Sequence, residues 1–352
     1  MTHMTNPVYA VLELLPEPAF LLKDGRILWC NSAARRLPLE VGKEVPALLP
    51  DVSLPENDAV LHWEADYRAA LWEVTVQKSE DAHLFLLRPS PDREDSALLL
   101  SAARGIQPSL DEIVAAGGVL FPLLEEFESE EFQNSTAAIS RSAFRLLRIV
   151  GDMNTYARLQ HEEVPLAKEK CDLTVFCREL TQRAADVLLD AGIRLDYAGP
   201  DRAVFGSIDR TEVRRAVLHL ISNAAKYGGA VTVKAAADSR FLRITVVSDS
   251  SIEEHVLATA FSRFRQPADL DSGRGVGLGL PIVQALARRH GGSVLLSSRD
   301  ARTEVTLCLN VSAPADGLST PRADFTGGYD PYLVGLSGVL PASSYDSRCV
   351  DL

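Results

Sequence analysis

The sequence predicts a multidomain α+β protein with three folded segments and a tail. Short strand-like runs fill the first quarter, two long amphipathic segments follow, and helices mixed with strand pairs occupy the rest up to about residue 311. A chain of 352 residues, 46% hydrophobic and 24% charged, is long enough for two or three domains. We place the segment boundaries at 1–92, 93–165, 170–312 and 313–352.

Composition narrows the class of protein. The net charge of −12 argues against a nucleic-acid partner, because such binding needs concentrated Lys and Arg. No apolar run reaches the roughly 20 residues that a transmembrane helix requires. The five cysteines are scattered without the close pairs of a metal site or a disulfide framework. We therefore predict a cytoplasmic protein with no nucleic-acid partner and no transmembrane segment.

The first segment reads as a small α+β domain. A hairpin is predicted first, then a short helix capped by Asn31, then three further strands. This order, and the stretch PAFLLKDGRILWCNSAARRL in particular, resembles a PAS sensor domain. Ligand sensing and plain packing or dimerisation both remain open. The predicted strands are Ala19–Leu22, Ile27–Cys30, Val60–Glu64, Ala70–Val76 and Leu84–Leu87.

The second segment carries apolar residues at alternating spacings of four and three, which is a heptad pattern. Two such stretches, separated by polar residues, predict an antiparallel helical hairpin. Pairing of two copies into a four-helix bundle would bury the apolar stripe, so we expect a homodimer; packing against other domains of the same chain is the alternative. The seam residues are Ile106, Leu110, Ile113, Gly117, Leu120, Leu124 and Phe127, then Ile139, Ala143, Leu146, Val150, Met153 and Ala157.

The third segment contains two features that point to phosphate chemistry. A helix that starts at Asp209 ends in HLISNAAKYGG, where the amide of Asn223 is placed to bind a magnesium ion, Lys226 to meet phosphates and Tyr227 to line a nucleotide. About fifty residues later comes GRGVGLGL, whose glycines allow backbone to approach phosphate oxygens ahead of a helix N-terminus. The turn consists of Gly275, Val276, Gly277, Leu278 and Gly279.

Together these features resemble the ATP-binding domain of sensor histidine kinases, a branch of the superfamily that includes gyrase and MutL. HLISNAAKY matches the N box, FSRF the F box and GRGVGLGLPIV the second glycine box. The resemblance implies an α/β sandwich known as the Bergerat fold, with ATP and Mg as cofactors and Asn223 as the magnesium ligand. It also implies that Asp249 receives the adenine amino group, although a strand-end turn residue is the alternative. Ser250 and Ser251 stand where the family has glycines, and the lid segment 265–272 is short.

The predicted hairpin departs from the family at the phosphorylation site. Where the family carries His, an acidic residue and then a Pro-Leu pair, this chain reads SAARGIQPSLDEI. Arg104, or Ala103 in the other register, takes the histidine's place, and no histidine occurs from 84 to 160. An arginine stays protonated and cannot attack phosphorus. His161, beyond the second helix, is better explained as an exposed helix-end residue.

The sequence thus predicts a two-component-type signalling protein that binds Mg-ATP without autophosphorylating on histidine. It would act through conformation or through a partner such as a response regulator or another histidine kinase. Two alternatives stay open: an active kinase that phosphorylates a partner or a relocated histidine, and a dimeric scaffold that binds no nucleotide. An ATPase is less favoured, because His219 stands four residues before Asn223, where gyrase-like relatives carry a catalytic Glu.

Overall fold

The fold is described from a computed structural model. The structure describes residues 11–49, 54–56, 59–68, 70–79, 81–89, 93–124, 130–160, 165–227, 230–252, 261, 277–299, 301–312 and 329–345.

The N-terminal domain is an antiparallel sheet whose strands lie in the order β2-β1-β5-β4-β3. The Oδ1 atom of Asn31 accepts hydrogen bonds from the amides of Ala34 (2.9 Å) and Ala19 (3.0 Å), so one side chain caps α1 and ties it to β1. The predicted strands and the Asn31 cap are confirmed. The elements are β1 Ala19–Lys23, β2 Arg26–Cys30, α1 Ser32–Arg36, β3 Val60–Tyr67, β4 Ala70–Ser79 and β5 Ala82–Pro89.

Aromatic side chains fill the core of this domain. The rings of Phe20 and Phe85 stack with centroids 4.8 Å apart, and Trp63 meets Phe85 edge-on at 6.0 Å. All three side chains are buried. The sheet therefore has a core of its own.

Two long helices follow, α2 Arg93–Leu124 and α3 Glu130–Gln160, and they pack along each other. The predicted heptad seam is divided: Leu110 and Val150 are buried inside the chain, whereas Ile106, Ile113 and Leu146 are exposed. An apolar stripe is thus left over after the two helices have packed. Among the described residues, no helix is both long and apolar enough to cross a membrane.

The C-terminal domain is an α/β sandwich. Its mixed sheet has the order β11-β12-β10-β9-β7, in which β7 and β9 are parallel, and the helices α4, α5 and α6 pack on it. A separate pair, β6 with β8, lies beside it. The elements are β6 Glu169–Asp172, α4 Leu173–Leu188, β7 Arg194–Ala198, β8 Phe205–Ile208, α5 Arg210–Tyr227, β9 Ala230–Ala237, β10 Phe241–Ser248, α6 Gly279–Arg289, β11 Ser293–Arg299 and β12 Arg302–Asn310.

The two sheets join at their edges. Strand β3 pairs antiparallel with β11, with His62 opposite Val294 and Val60 opposite Leu296. The result is a continuous sheet of ten strands among the residues described. Edge pairing of this kind removes two unpaired strand edges at once.

The sequence predicts a mostly flexible tail at 313–352, in which the apolar run Tyr332 to Leu340 could dock on the rest of the chain. The structure describes residues 329–345 as an ordered, docked segment that includes this run. This stretch contains the helix α7 Pro331–Leu336 and a 3₁₀ turn Ala342–Tyr345. Its apolar side chains, which include Leu336 and Tyr345, are buried against α3 and α5. The segment is ordered because it covers apolar surface on those two helices.

Candidate functional site

The start of α5 is fixed by a buried carboxylate. The Oδ1 atom of Asp209 accepts a hydrogen bond from the Glu212 amide at 3.2 Å, while Oδ2 accepts one from the Ala167 amide at 2.9 Å. The Asp209 amide in turn donates to Nε2 of His290 at 3.3 Å. Burial lowers the pKa of His290 to about 4, so the ring is neutral and Nε2 can accept. The helix that carries the N box is thereby locked at its first turn.

The predicted magnesium and phosphate residues lie in the last turns of α5. Asn223 and Lys226 are both half-buried. Tyr227 is the final residue of the helix, and its side chain lies outside the described residues. This end of α5 is therefore accessible, unlike the buried face formed by residues such as Val213 and Ile221.

The glycine turn leads directly into α6. Gly277 has a φ of +72°, a left-handed conformation that side chains other than glycine rarely adopt. Leu278 is buried and anchors the turn, and no side chain caps the N-terminus of α6 among the residues described. An uncapped helix start offers its amide groups to an anion. Gly275 and Val276 lie outside the described residues.

The turn and the Asn-containing helix meet. A Cβ added at Gly279 would lie 3.3 Å from Nδ1 of His219, which is one helical turn before Asn223. Asp249 follows β10, whose last residue Ser248 pairs with Val231 at the start of β9, close after the end of α5. The structure thus brings Gly279, Asn223 and Asp249 to the same end of the domain.

The loop that contains Ser250 and Ser251 is held in place by its own hydroxyl groups and by those of the neighbouring strands β11 and β12. Ser248 and Ser250 share a hydrogen bond of 2.9 Å, and Oγ1 of Thr303 donates to the carbonyl of Ser250 at 2.7 Å. The amide of Ile252 donates to Oγ of Ser298 at 2.8 Å. Residues 248–252 are thus held against β11 and β12, next to Asp249, which is itself exposed.

A buried polar cluster connects the long helix α3 to α5. Nη2 of Arg148 lies 3.1 Å from Nδ1 of His219, Nη1 donates to Oγ of Ser222 at 3.0 Å, and Nε2 of His219 lies 3.0 Å from Oδ1 of Asp152. Because a guanidinium only donates, Nδ1 of His219 must accept, and its proton is on Nε2 facing Asp152. Burial lowers the pKa of His219, in agreement with a neutral ring. His219 is thus a packed, hydrogen-bonded histidine.

Sequence reasoning did not identify Arg148 and Asp152 as partners of the site. Burial opposes the charge on Asp152, but His219, Arg148 and Arg215 together hold the pKa of its carboxyl below the usual value. The sequence did contain a hint of this pair. Arg148 and Asp152 carry opposite charges four residues apart, within the apolar seam of α3.

A third buried histidine, His62, lies where the N-terminal domain meets the C-terminal domain. The ring of His62 stacks on Phe261 of the predicted F box with centroids 4.8 Å apart, and its Nε2 accepts a hydrogen bond from the amide of Gln284 on α6. Its Nδ1 lies 2.7 Å from Oγ1 of Thr75. Burial, with a smaller effect of Arg88, lowers the pKa of His62 to about 3. The N-terminal domain therefore contacts the helix that follows the glycine turn.

The predicted phosphorylation position lies on α2. Arg104 and Gly105 are exposed, whereas Ala103 is buried completely. Pro108, inside the helix, has no N–H to donate to the carbonyl of Arg104. At the predicted position Arg104 thus presents a guanidinium to solvent, and a guanidinium is not a nucleophile. His161 lies outside the described residues.

The α/β sandwich with an Asn-bearing helix end beside a glycine turn defines the class of ATPase domain found in histidine kinases, gyrase and Hsp90. In agreement, residues 208–313 match the family described as histidine kinase-, DNA gyrase B-, and HSP90-like ATPase. The crystal structure of full-length ShkA in complex with AMPPNP is similar with a TM-score of 0.51 and 22% identity, over 63% of this chain and 47% of that chain, which supports the fold.

Curated relatives narrow the family further. The sensor histidine kinase component HK1 of Mycobacterium tuberculosis is 34% identical over 137 residues, which are 38% of this chain and 80% of that protein. The histidine protein kinase DivJ of Caulobacter vibrioides is 30% identical over 206 residues, 55% of this chain and 33% of that protein. This chain thus spans about a third of the length of DivJ. The chain belongs to the sensor histidine kinase family.

Proposed function

We propose that this chain binds Mg-ATP between the end of α5, the loop after β10 and the glycine turn, and that it signals without phosphorylating a histidine of its own. The observation that supports binding most strongly is the contact of Gly279 with His219, one turn before Asn223. Because of this contact, the uncapped start of α6 lies about one helical turn from Asn223, whose side-chain amide would hold the metal.

The residues present fit a nucleotide and one metal ion. No group of three or more His, Cys, Asp or Glu residues that would bind a metal occurs in the described parts of the chain. A magnesium ion would rest on Asn223 and on the phosphates it neutralises, which is how this ion usually binds nucleotides. Asp249 and Tyr227 would face the base, and Lys226 and the turn Gly275 to Gly279 would face the phosphates.

We further propose that the N-terminal domain is PAS-like and that its state reaches the nucleotide through His62. The ring lies between β3 and α6 and touches the F-box residue Phe261. A change in the position of β3 would therefore act directly on the helix that follows the glycine turn. The exposed half of the heptad seam, which includes Ile113 and Leu146, is proposed to pair two copies into a bundle.

A titration with Mg-ATP tests the proposed site. Asn223→Ala should weaken binding at least about tenfold, because it removes a direct metal ligand. Chelation of magnesium should lower the affinity of the unmodified chain while leaving the variant almost unchanged. Asn134→Ala, at an exposed position on α3, is the matched control and should bind like the unmodified chain.

Two other functions lead to different results in the same titration. A scaffold that has lost its nucleotide site, which the serine loop beside Asp249 favours, would show no binding in any of the three proteins. An active kinase that phosphorylates a partner would bind Mg-ATP and transfer label to a response regulator or another histidine kinase. Equal affinity of the Asn223→Ala variant and the unmodified chain would contradict the role of Asn223.

A further inference from the structure

Residues 329–345, here termed the C-terminal clasp, form a short segment that cannot be stable alone. Its helix α7 has six residues, and isolated helices of that length do not persist in water. Asp330 caps the helix by accepting a hydrogen bond from the Tyr332 amide at 2.7 Å. The order of the clasp must therefore come from the surface on which it lies.

That surface belongs to two different parts of the chain. On the hairpin side, the ring of Phe144 on α3 lies between Tyr329 and Tyr345, with centroids 4.8 and 4.7 Å away. Nε of Arg145, also on α3, donates to the carbonyl of Ser337 at 3.2 Å. These contacts attach the clasp to α3.

On the other side, the clasp contacts the α/β sandwich. Nη2 of Arg183 on α4 lies 2.9 Å from Oδ2 of Asp330, and the same guanidinium lies over the ring of Tyr332 at 5.0 Å. The backbone at Gly335 touches α5 so closely that an added Cβ would lie 2.8 Å from Cδ1 of Leu218. The clasp thus spans the joint between α3 and the sandwich.

The turn after α7 reaches the proposed phosphate site. A Cβ added at Gly338 would lie 3.0 Å from Nη1 of Arg148 and 3.3 Å from Cε of Lys226. Arg148 belongs to the buried cluster with His219, and Lys226 is the residue proposed to meet phosphates. One turn of the clasp therefore contacts both the joint and the site.

We propose that the C-terminal clasp is an autoinhibitory element, which holds α3 and α5 together and restrains Lys226 so that nucleotide binds more weakly while the clasp is docked. This inference rests on the proposed function for its effect on nucleotide. Its structural part, that the clasp restrains the joint, stands on the contacts to Phe144, Arg183 and Leu218 alone.

The test compares the unmodified chain with Gly335→Val, which would clash with Leu218 and undock the clasp. Ser343→Val, at an exposed position of the same segment, is the matched control. Amide hydrogen exchange in 144–152 and 218–226 should become at least about tenfold faster in Gly335→Val only. Affinity for Mg-ATP should rise roughly fivefold to tenfold in the same protein, because Lys226 is released.

Each result decides one part of the proposal. Unchanged exchange in Gly335→Val would overturn the clasp as a restraint on the joint, and faster exchange with unchanged affinity would overturn autoinhibition. If none of the proteins binds Mg-ATP, the proposed function fails. The hydrogen-exchange data would then still test whether the clasp restrains the joint between α3 and the sandwich. Should Gly335→Val not fold, Gly338→Ala, which presses only on the side-chain ends of Arg148 and Lys226, should raise the affinity; no change in that variant would contradict the proposal.

Discussion

Acidification should weaken the N-terminal domain through His62. The ring is buried between β3, Phe261 and Gln284, and its Nε2 accepts a hydrogen bond that a protonated imidazole could not accept. Burial lowers its pKa from 6.5 to about 3. The unfolded or undocked chain therefore takes up a proton below about pH 6.5 that the folded protein excludes, so stability is lost as the pH falls.

The size of the effect follows from linkage. Each pH unit between the unfolded and folded pKa values changes the free energy of unfolding by about 1.4 kcal/mol. A change from pH 7 to pH 5 should therefore cost about 2 kcal/mol at this one residue. Arg88, whose charge also opposes protonation, acts in the same direction.

Tryptophan fluorescence during urea unfolding measures the effect, because Trp29, Trp63 and Trp72 all lie in the N-terminal domain. His62→Gln keeps a polar side chain but does not titrate, so it should lose about 2 kcal/mol less than the unmodified chain between pH 7 and pH 5. His83→Gln, on β5 and outside the contact between β3 and α6, is the matched control. An equal loss of stability in His62→Gln and the unmodified chain would refute the assignment.

Three further predictions concern the rest of the chain. Ile113→Glu combined with Leu146→Glu should give monomers by light scattering, because both side chains are exposed in the single chain; an unchanged mass would contradict the proposed bundle. Asp152→Ala should lower the free energy of unfolding by about 3 kcal/mol, since it leaves the charge of Arg148 buried without its carboxylate, and a loss below about 1 kcal/mol would be contrary evidence. Gly105→Ala, in the exposed middle of α2 with nothing within 4 Å of the new methyl group, should stabilise the chain by roughly 0.5–1 kcal/mol in thermal unfolding.

Local sequence patterns were sufficient to predict the helix and the glycine turn that carry the candidate site. The helix predicted to start at Asp209 has Asp209 as its N-terminal cap, and Asn31 caps α1 as expected. The left-handed conformation of Gly277 supplies a reason for a glycine there that differs from the predicted approach of backbone to phosphate oxygens. These features depend on a few neighbouring residues, which is why sequence alone reveals them.

The structural features that the sequence did not reveal all join residues that are distant in the chain. Pairing of β3 with β11 leaves no mark on the alternation of either strand, because any exposed edge offers the same hydrogen-bonding groups. The docking of residues 329–345 depends on a groove that only α3, α4 and α5 together create. For the polar pair of Arg148 and Asp152, the partner His219 is about seventy residues away.

We propose that the chain binds Mg-ATP yet presents no histidine for it to phosphorylate at the usual position. Incubation with radiolabelled ATP, followed by acid and base treatment, tests this most directly. We expect no acid-labile, base-stable label on the unmodified chain, because Arg104, exposed at the predicted phosphorylation position, cannot attack phosphorus. Label on Arg104→His combined with Gly105→Glu would show that the rest of the machinery is competent, whereas acid-labile label on any histidine of the unmodified chain would contradict the account.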